Sequence, residues 1–299
     1  MEWSGVMPAV TTKFTKNDRL DLDMFATNIK AQIEAGVHAI ILGGTLGEAS
    51  TLDSSEKKVL IQETLQLVEG RIPVVQNIAE QTTTGAVKAA TNAERYGAKG
   101  IMVLPPMRYK ATDRETVAYF KAIADSTSLP IMIYNNPVDY KIEVTLDMFD
   151  ELMQHDNIKA VKDSTRDITN ITRFKNRFGN RLKILCGVDT LAMESLLMGA
   201  DGWVAGLVCA FPKETVSIYE LIKSGRIEEA AQIYRWFMPL LELDISPQLV
   251  QNIKLAEQVV GIGTENVRLP RLPLEGLERK RVLALIEDAL KERPLIPKM

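Results

Sequence analysis

Two short apolar runs in this chain end in side chains that could do chemistry. Leu129-Pro130-Ile131-Met132-Ile133 ends in Tyr134, and Ile158-Lys159-Ala160-Val161 ends in Lys162. A lysine at the tip of an apolar strand is unfavourable unless it is paired or used. Desolvation lowers the pKa of such an amine toward neutrality. A neutral amine attacks a ketone to form a Schiff base, and the iminium is an electron sink for breaking or making the adjacent C–C, C–O or C–N bond. The alternative for Lys162 is a lysine that reaches the rim and pairs with Asp163 or Asp189. Tyr134, on a neighbouring strand, could donate and accept protons during imine formation; its alternative is a core tyrosine with a satisfied hydroxyl. Thr45 could relay that proton or serve as a turn or cap residue. The Gly43-Gly44 pair exposes backbone N–H groups that suit a carboxylate or a phosphate. Arg108 could meet a substrate anion or sit solvated on the surface.

Other chemistries find little support. Cys186 and Cys209 lie in apolar runs and read as small buried thiols. His38 and His155 have no Cys or His companions at metal-ligand spacing, and no Gly-x-Ser-x-Gly turn offers a serine nucleophile. No metal or organic cofactor is expected. Lys+Arg is 36 and Asp+Glu is 39, a formal net charge of -3 with no basic stripe, which argues against nucleic acid as the main partner. No apolar run approaches the roughly 20 residues that span a bilayer, so no membrane partner is expected. Met1-Glu2-Trp3-Ser4 lacks the regions of a signal peptide. The expected compartment is the cytoplasm.

These side chains need a scaffold. About eight short apolar runs alternate with segments of helical period: Gly5–Thr11, Ala39–Gly43, Pro73–Ile78, Gly100–Leu104, Pro130–Tyr134, Lys159–Lys162, Lys183–Cys186 and Gly202–Val208. Between them, Phe25, Ile29 and Ile33 mark one helical face, and Val117, Phe120 and Ala124 another. Asp53 with Glu56 forms an N-terminal cap signature, and Gly97 sits at a C-cap position. Alternating strand and helix implies a parallel sheet, and eight βα units close into an α/β (β/α)8 TIM barrel. An open doubly wound sheet is the competitor, but its Gly-x-Gly-x-x-Gly turn is missing after the first strand. After Gly225 only helices are expected, over Ile227–Leu241, Pro247–Val260 and Leu277–Lys291. The expected organisation is a catalytic barrel over 1–224 and a C-terminal helical region over 225–299 packed on it, with no obvious chemistry in the tail. The barrel rule places the active site at the C-terminal strand ends. It selects Gly43–Glu48, Pro105–Tyr109, Tyr134, Lys162, Gly187–Asp189 and Gly206.

Together these residues resemble the dihydrodipicolinate synthase / N-acetylneuraminate lyase family of class I aldolases, over nearly the whole chain. Gly44-Thr45-Leu46-Gly47-Glu48 resembles the family's Gly-Thr/Ser-Thr-Gly-Glu. Tyr134-Asn135-Asn136-Pro137 matches its Tyr-Asn-x-Pro, and Lys162-Asp163-Ser164 its Lys-Glu/Asp-Ser. Gly187-Val188-Asp189 and Gly199-Ala200-Asp201-Gly202 match the later strands. The resemblance implies a lyase acting on pyruvate or a related 2-oxo acid. It makes Lys162 the Schiff-base lysine, Tyr134 the proton-transfer phenol, and Thr45 the hydroxyl that links the phenol to solvent. Gly44 and the backbone of Thr45 and Leu46 would hold the 2-oxo acid carboxylate, with Val204 and Gly206 lining the site. It also implies a homotetramer built from tight dimers, in which a neighbour's tyrosine completes the relay. Tyr109, at a shifted spacing, is the candidate for that tyrosine.

The departures bear on the substrate. The lysine-pathway synthase carries an arginine two residues after the Tyr-Asn-x-Pro proline, and Asp139 stands here. The sialic-acid lyases carry an acidic residue where Thr190 stands, Leu46 replaces a hydroxyl residue, and Arg166 replaces a small one. The pattern resembles members that deaminate hydroxyproline-derived pyrroline carboxylates or dehydrate 2-oxo-3-deoxy sugar acids. The lysine-pathway synthase itself and a non-catalytic carboxylate-binding barrel are the remaining alternatives.

Overall fold

The computed structural model describes residues 1–106 and 109–297. Eight strands alternate with helices: β1 (Gly5–Pro8), β2 (Ile40–Leu42), β3 (Val74–Ile78), β4 (Gly100–Val103), β5 (Ile131–Asn135), β6 (Ile158–Asp163), β7 (Lys183–Cys186) and β8 (Gly202–Ala205). All pairings are parallel, in the order β1-β8-β7-β6-β5-β4-β3-β2. The β1–β2 seam closes the ring. There Ala9 bridges Ile41, the His38 N–H donates to Val6 O at 2.8 Å, and the Val6 N–H donates to His38 Nδ1 at 3.1 Å. The expected barrel is therefore the observed one. The strands are apolar on both faces because the barrel interior covers one and the helices the other.

The helices of the barrel layer are α1 (Leu22–Glu34), α2 (Ser54–Val68), α3 (Thr83–Tyr96), α4 (Asp113–Ala124), the single turn α5 (Pro137–Tyr140), α6 (Leu146–Leu152), α7 (Thr169–Phe178), α8 (Ala192–Leu197) and α9 (Pro212–Lys223). Asp53 and Glu56 form the expected capping box at α2, and Gly97 ends α3 with φ of 99°. The tail adds α10 (Ile227–Leu241), α11 (Leu249–Val259) and α12 (Gly276–Lys291). A 3₁₀ turn over Glu242–Ile245 joins α10 to α11. The last strand stops at Ala205, short of the expected Val208. Asp189 is the physical reason: its carboxylate accepts from the Gly206 and Leu207 N–H groups, at 3.1 and 2.8 Å, and turns the chain inward. Among the described residues no helix is long and apolar enough to cross a membrane.

Candidate active site

Tyr134 and Lys162 are register partners on β5 and β6, each at the C-terminal end of its strand. Their side chains share the barrel interior, whereas Asp163, one residue on, faces the helical layer. Lys162 is 7% exposed, and its Nζ lies 3.9 Å from the centre of the Tyr134 ring. It forms no ion pair with Asp163 or Asp189 among the described residues. Asp163 accepts from Thr165 Oγ1, and Asp189 is occupied by Trp203 Nε1 at 2.8 Å and the β8 backbone. Burial pushes the Lys162 pKa below the ordinary lysine value, with Tyr140, Asp244 and Asp189 pulling the other way. Burial also pushes the Tyr134 phenol up to about 12. Burial therefore favours the neutral form of both groups, the form in which an amine attacks a carbonyl and a phenol donates its proton.

Gly187 makes room for the lysine. A Cβ there would lie 2.2 Å from Ser164 Oγ and 2.6 Å from Lys162 Cε. Around the amine opens a cavity of about 330 Å³ lined by the strand ends. It brings together Lys162, Tyr134, Thr45, Gly44, Leu46, Val204 and Gly206, seven of the eight residues that the resemblance assigns to the site. The eighth, Tyr109, is 56% exposed, is not part of this lining, and hydrogen-bonds Glu115 beside the start of α4. Arg108 lies outside the described residues.

Four features of the cavity were not assigned to the site from the sequence. Tyr140 ends α5, and its hydroxyl lies 2.9 Å from Thr45 Oγ1. The hydroxyl that Thr45 meets is thus Tyr140's, whereas the Tyr134 hydroxyl accepts from Asn136 Nδ2 at 3.2 Å. The signal was present: Asn136 caps Asp139 N–H at 3.1 Å and Pro137 opens the turn, an Asn-Pro helix start. Second, the tail, in which the sequence marks no obvious chemistry, reaches the cavity. The 3₁₀ turn brings Asp244 and Ser246 into the cavity wall. Third, burial raises the Asp244 pKa well above the usual carboxylate range, with the like charge of Asp189 adding to it. No periodicity marks this turn. Fourth, Arg166 lines the same cavity at φ of 62°, with its guanidinium 3.9 Å from the Asp139 carboxylate. Arg166 reaches the cavity from the segment that follows β6.

Comparison with known proteins agrees with this geometry. Residues 2–289 match the Dihydrodipicolinate synthetase family. The 4-hydroxy-tetrahydrodipicolinate synthase of Exiguobacterium sibiricum is 29% identical over 272 residues, 91% of this chain and 92% of that protein. The synthase of the same name from Geotalea uraniireducens is 28% identical, over 96% of this chain and 98% of its own. Among solved structures, the dihydrodipicolinate synthase of Thermotoga maritima superposes with a TM-score of 0.91 at 27% identity, covering 98% of this chain and 99% of that one. YagE, a prophage protein of that family from E. coli, was solved in complex with pyruvate. It superposes with a TM-score of 0.91 at 25% identity, over 97% and 99%. The chain belongs to the dihydrodipicolinate synthetase family and is a Schiff-base-forming class I lyase of that family.

Proposed function

We propose that Lys162 is the Schiff-base lysine and that Tyr134 and Thr45 move its protons. One observation carries this reading: a buried amine without an ion pair among the described residues, 3.9 Å over a phenol ring, in the wall of a cavity. Gly44 and the backbone of Thr45 and Leu46 hold the 2-oxo acid carboxylate, and Val204 and Gly206 form the opposite wall. YagE's pyruvate complex supports a 2-oxo acid as the ligand class. The neutral amine attacks C2 of the 2-oxo acid, the Tyr134 phenol supplies the proton that lets water leave, and the iminium remains. Loss of a C3 proton then gives the enamine. By resemblance the enzyme works in the cytoplasm as a homotetramer, with Tyr109 reaching a neighbour's site.

Beyond the pyruvyl end, the cavity presents Asp139, Asp244 and Arg166. Burial pushes the half-buried Asp244 carboxyl well above the usual carboxylate range, which suits it to give a proton to a departing oxygen in an elimination. The enamine expels a hydroxyl from C4, and the Asp244 carboxyl donates its proton to the departing oxygen, so that water leaves. We therefore favour a hydroxylated cyclic imino acid or a 2-oxo-3-deoxy sugar acid over aspartate semialdehyde. Assays with hydroxypyrroline carboxylate, 2-oxo-3-deoxy sugar acids, and pyruvate with aspartate semialdehyde test the choice. Turnover of one of the first two is expected, falling about 100-fold or more in Asp244→Asn. Efficient condensation with aspartate semialdehyde alone would contradict it.

A further inference from the structure

Tyr140 occupies a place that nothing in the resemblance assigns. It is half-buried at the end of α5, three residues after the Pro137 that opens the turn. Its ring stands edge-on to Tyr134, with centroids 5.7 Å apart and planes at 88°. Its hydroxyl meets Thr45 Oγ1 at 2.9 Å, and Thr45 is exposed. The two hydroxyls thus run from the lysine's cavity toward water within one chain. Tyr140 lines the cavity together with Tyr134, Thr45, Lys162 and Asp139. After burial, Tyr140 is the largest influence on the Lys162 amine.

We propose that Tyr140 is a second proton-transfer residue of the site, supplied by the same chain. With Thr45 it carries protons between the Schiff-base site and solvent, so each protomer holds a complete relay. This rests on Lys162 forming the Schiff base. In the relevant step the C3–H bond of the iminium breaks and its electrons form the C2–C3 double bond. The C=N pair returns to the lysine nitrogen, and the proton leaves by way of the Tyr140 and Thr45 hydroxyls. Reversal in heavy water returns a deuteron to C3.

The test needs only pyruvate as probe. Wild-type protein in heavy water should exchange the pyruvate methyl protons, read by proton NMR, and should be trapped on Lys162 by borohydride. Tyr140→Phe keeps the ring and loses the hydroxyl. It should slow exchange by about 10-fold or more while borohydride still traps Lys162, and Thr45→Val should do the same. A purely structural role would instead weaken trapping and leave the exchange rate per trapped site unchanged. Co-expressed Tyr140→Phe and Lys162→Ala chains should not regain exchange, because each site keeps its own defect. Recovery in such hybrids would overturn the proposal. So would exchange that survives Tyr140→Phe and falls with Tyr109→Phe. Wild-type protein that neither exchanges nor traps pyruvate would instead sink the Schiff-base reading, and this proposal with it.

Discussion

The amine of Lys162 lies where it does partly because residue 187 has no side chain. A Cβ at Gly187 would overlap both Ser164 Oγ and Lys162 Cε. Gly187→Ala should therefore leave the barrel folded, by circular dichroism, yet cut Schiff-base trapping at least about 10-fold by displacing the amine. Trapping at the wild-type rate would show that the lysine is not held by that contact. Lys162 and Tyr134 were legible in the sequence because a polar residue ending an apolar β-run stands out against its neighbours. Tyr140 and Asp244 were not, because each sits on a short turn without periodicity. Their meaning comes from what they face: Thr45 in one case and the Lys162 cavity in the other.

At the level of elements, β6 carries one side chain inward for chemistry and the next outward at some expense. Asp163 is 6% exposed, its Oδ1 has no hydrogen-bond partner among the described residues, and burial lifts its carboxyl to about 7 from 3.8. The folded state therefore holds an extra proton between about pH 4 and pH 7 relative to the unfolded chain. Stability from this group is greatest below that window and falls as pH rises through it. Asp163→Asn should flatten the pH dependence of denaturant unfolding between pH 4 and 7. At pH 8 it should gain roughly 1–3 kcal/mol; a loss there would contradict the assignment. The strand itself was legible, since every β6 residue except Lys159 is buried. The early end of β8 was not. It depends on Asp189 reaching across from β7 to the Gly206 and Leu207 N–H groups, a contact that no local pattern announces.

Across the whole molecule, α11 is tied into the barrel by buried ion pairs. Lys254 pairs with Glu48, and Lys13 meets Glu257 at 2.9 Å; all four side chains are fully buried. Glu48, at φ of 52°, also accepts from the Arg268 N–H at 3.0 Å. Removing Lys254 takes away the ammonium nearest the buried Glu48 carboxylate and leaves it the Arg268 N–H and, at 3.8 Å, the Arg271 guanidinium. Lys254→Met should lower stability by about 3–5 kcal/mol in denaturant unfolding, and the double change Lys254→Met with Glu48→Leu should recover part of it. A loss below about 1 kcal/mol in the single variant would contradict this view of the tail. Eight alternating units were enough to foresee the closed barrel. The ion pairs were hidden because their partners lie 206 and 244 residues apart. The same tail also sets Asp244 against the Lys162 cavity, so barrel and tail line it jointly. The central claim is that Lys162 forms an imine with a 2-oxo acid. It is tested most directly by the intact mass of the protein after pyruvate and borohydride, followed by peptide mapping. The account predicts one reduced pyruvyl group per chain, on Lys162, at neutral pH, and none in Lys162→Ala. An adduct on another lysine, or an unmodified chain with every 2-oxo acid tried, would contradict it.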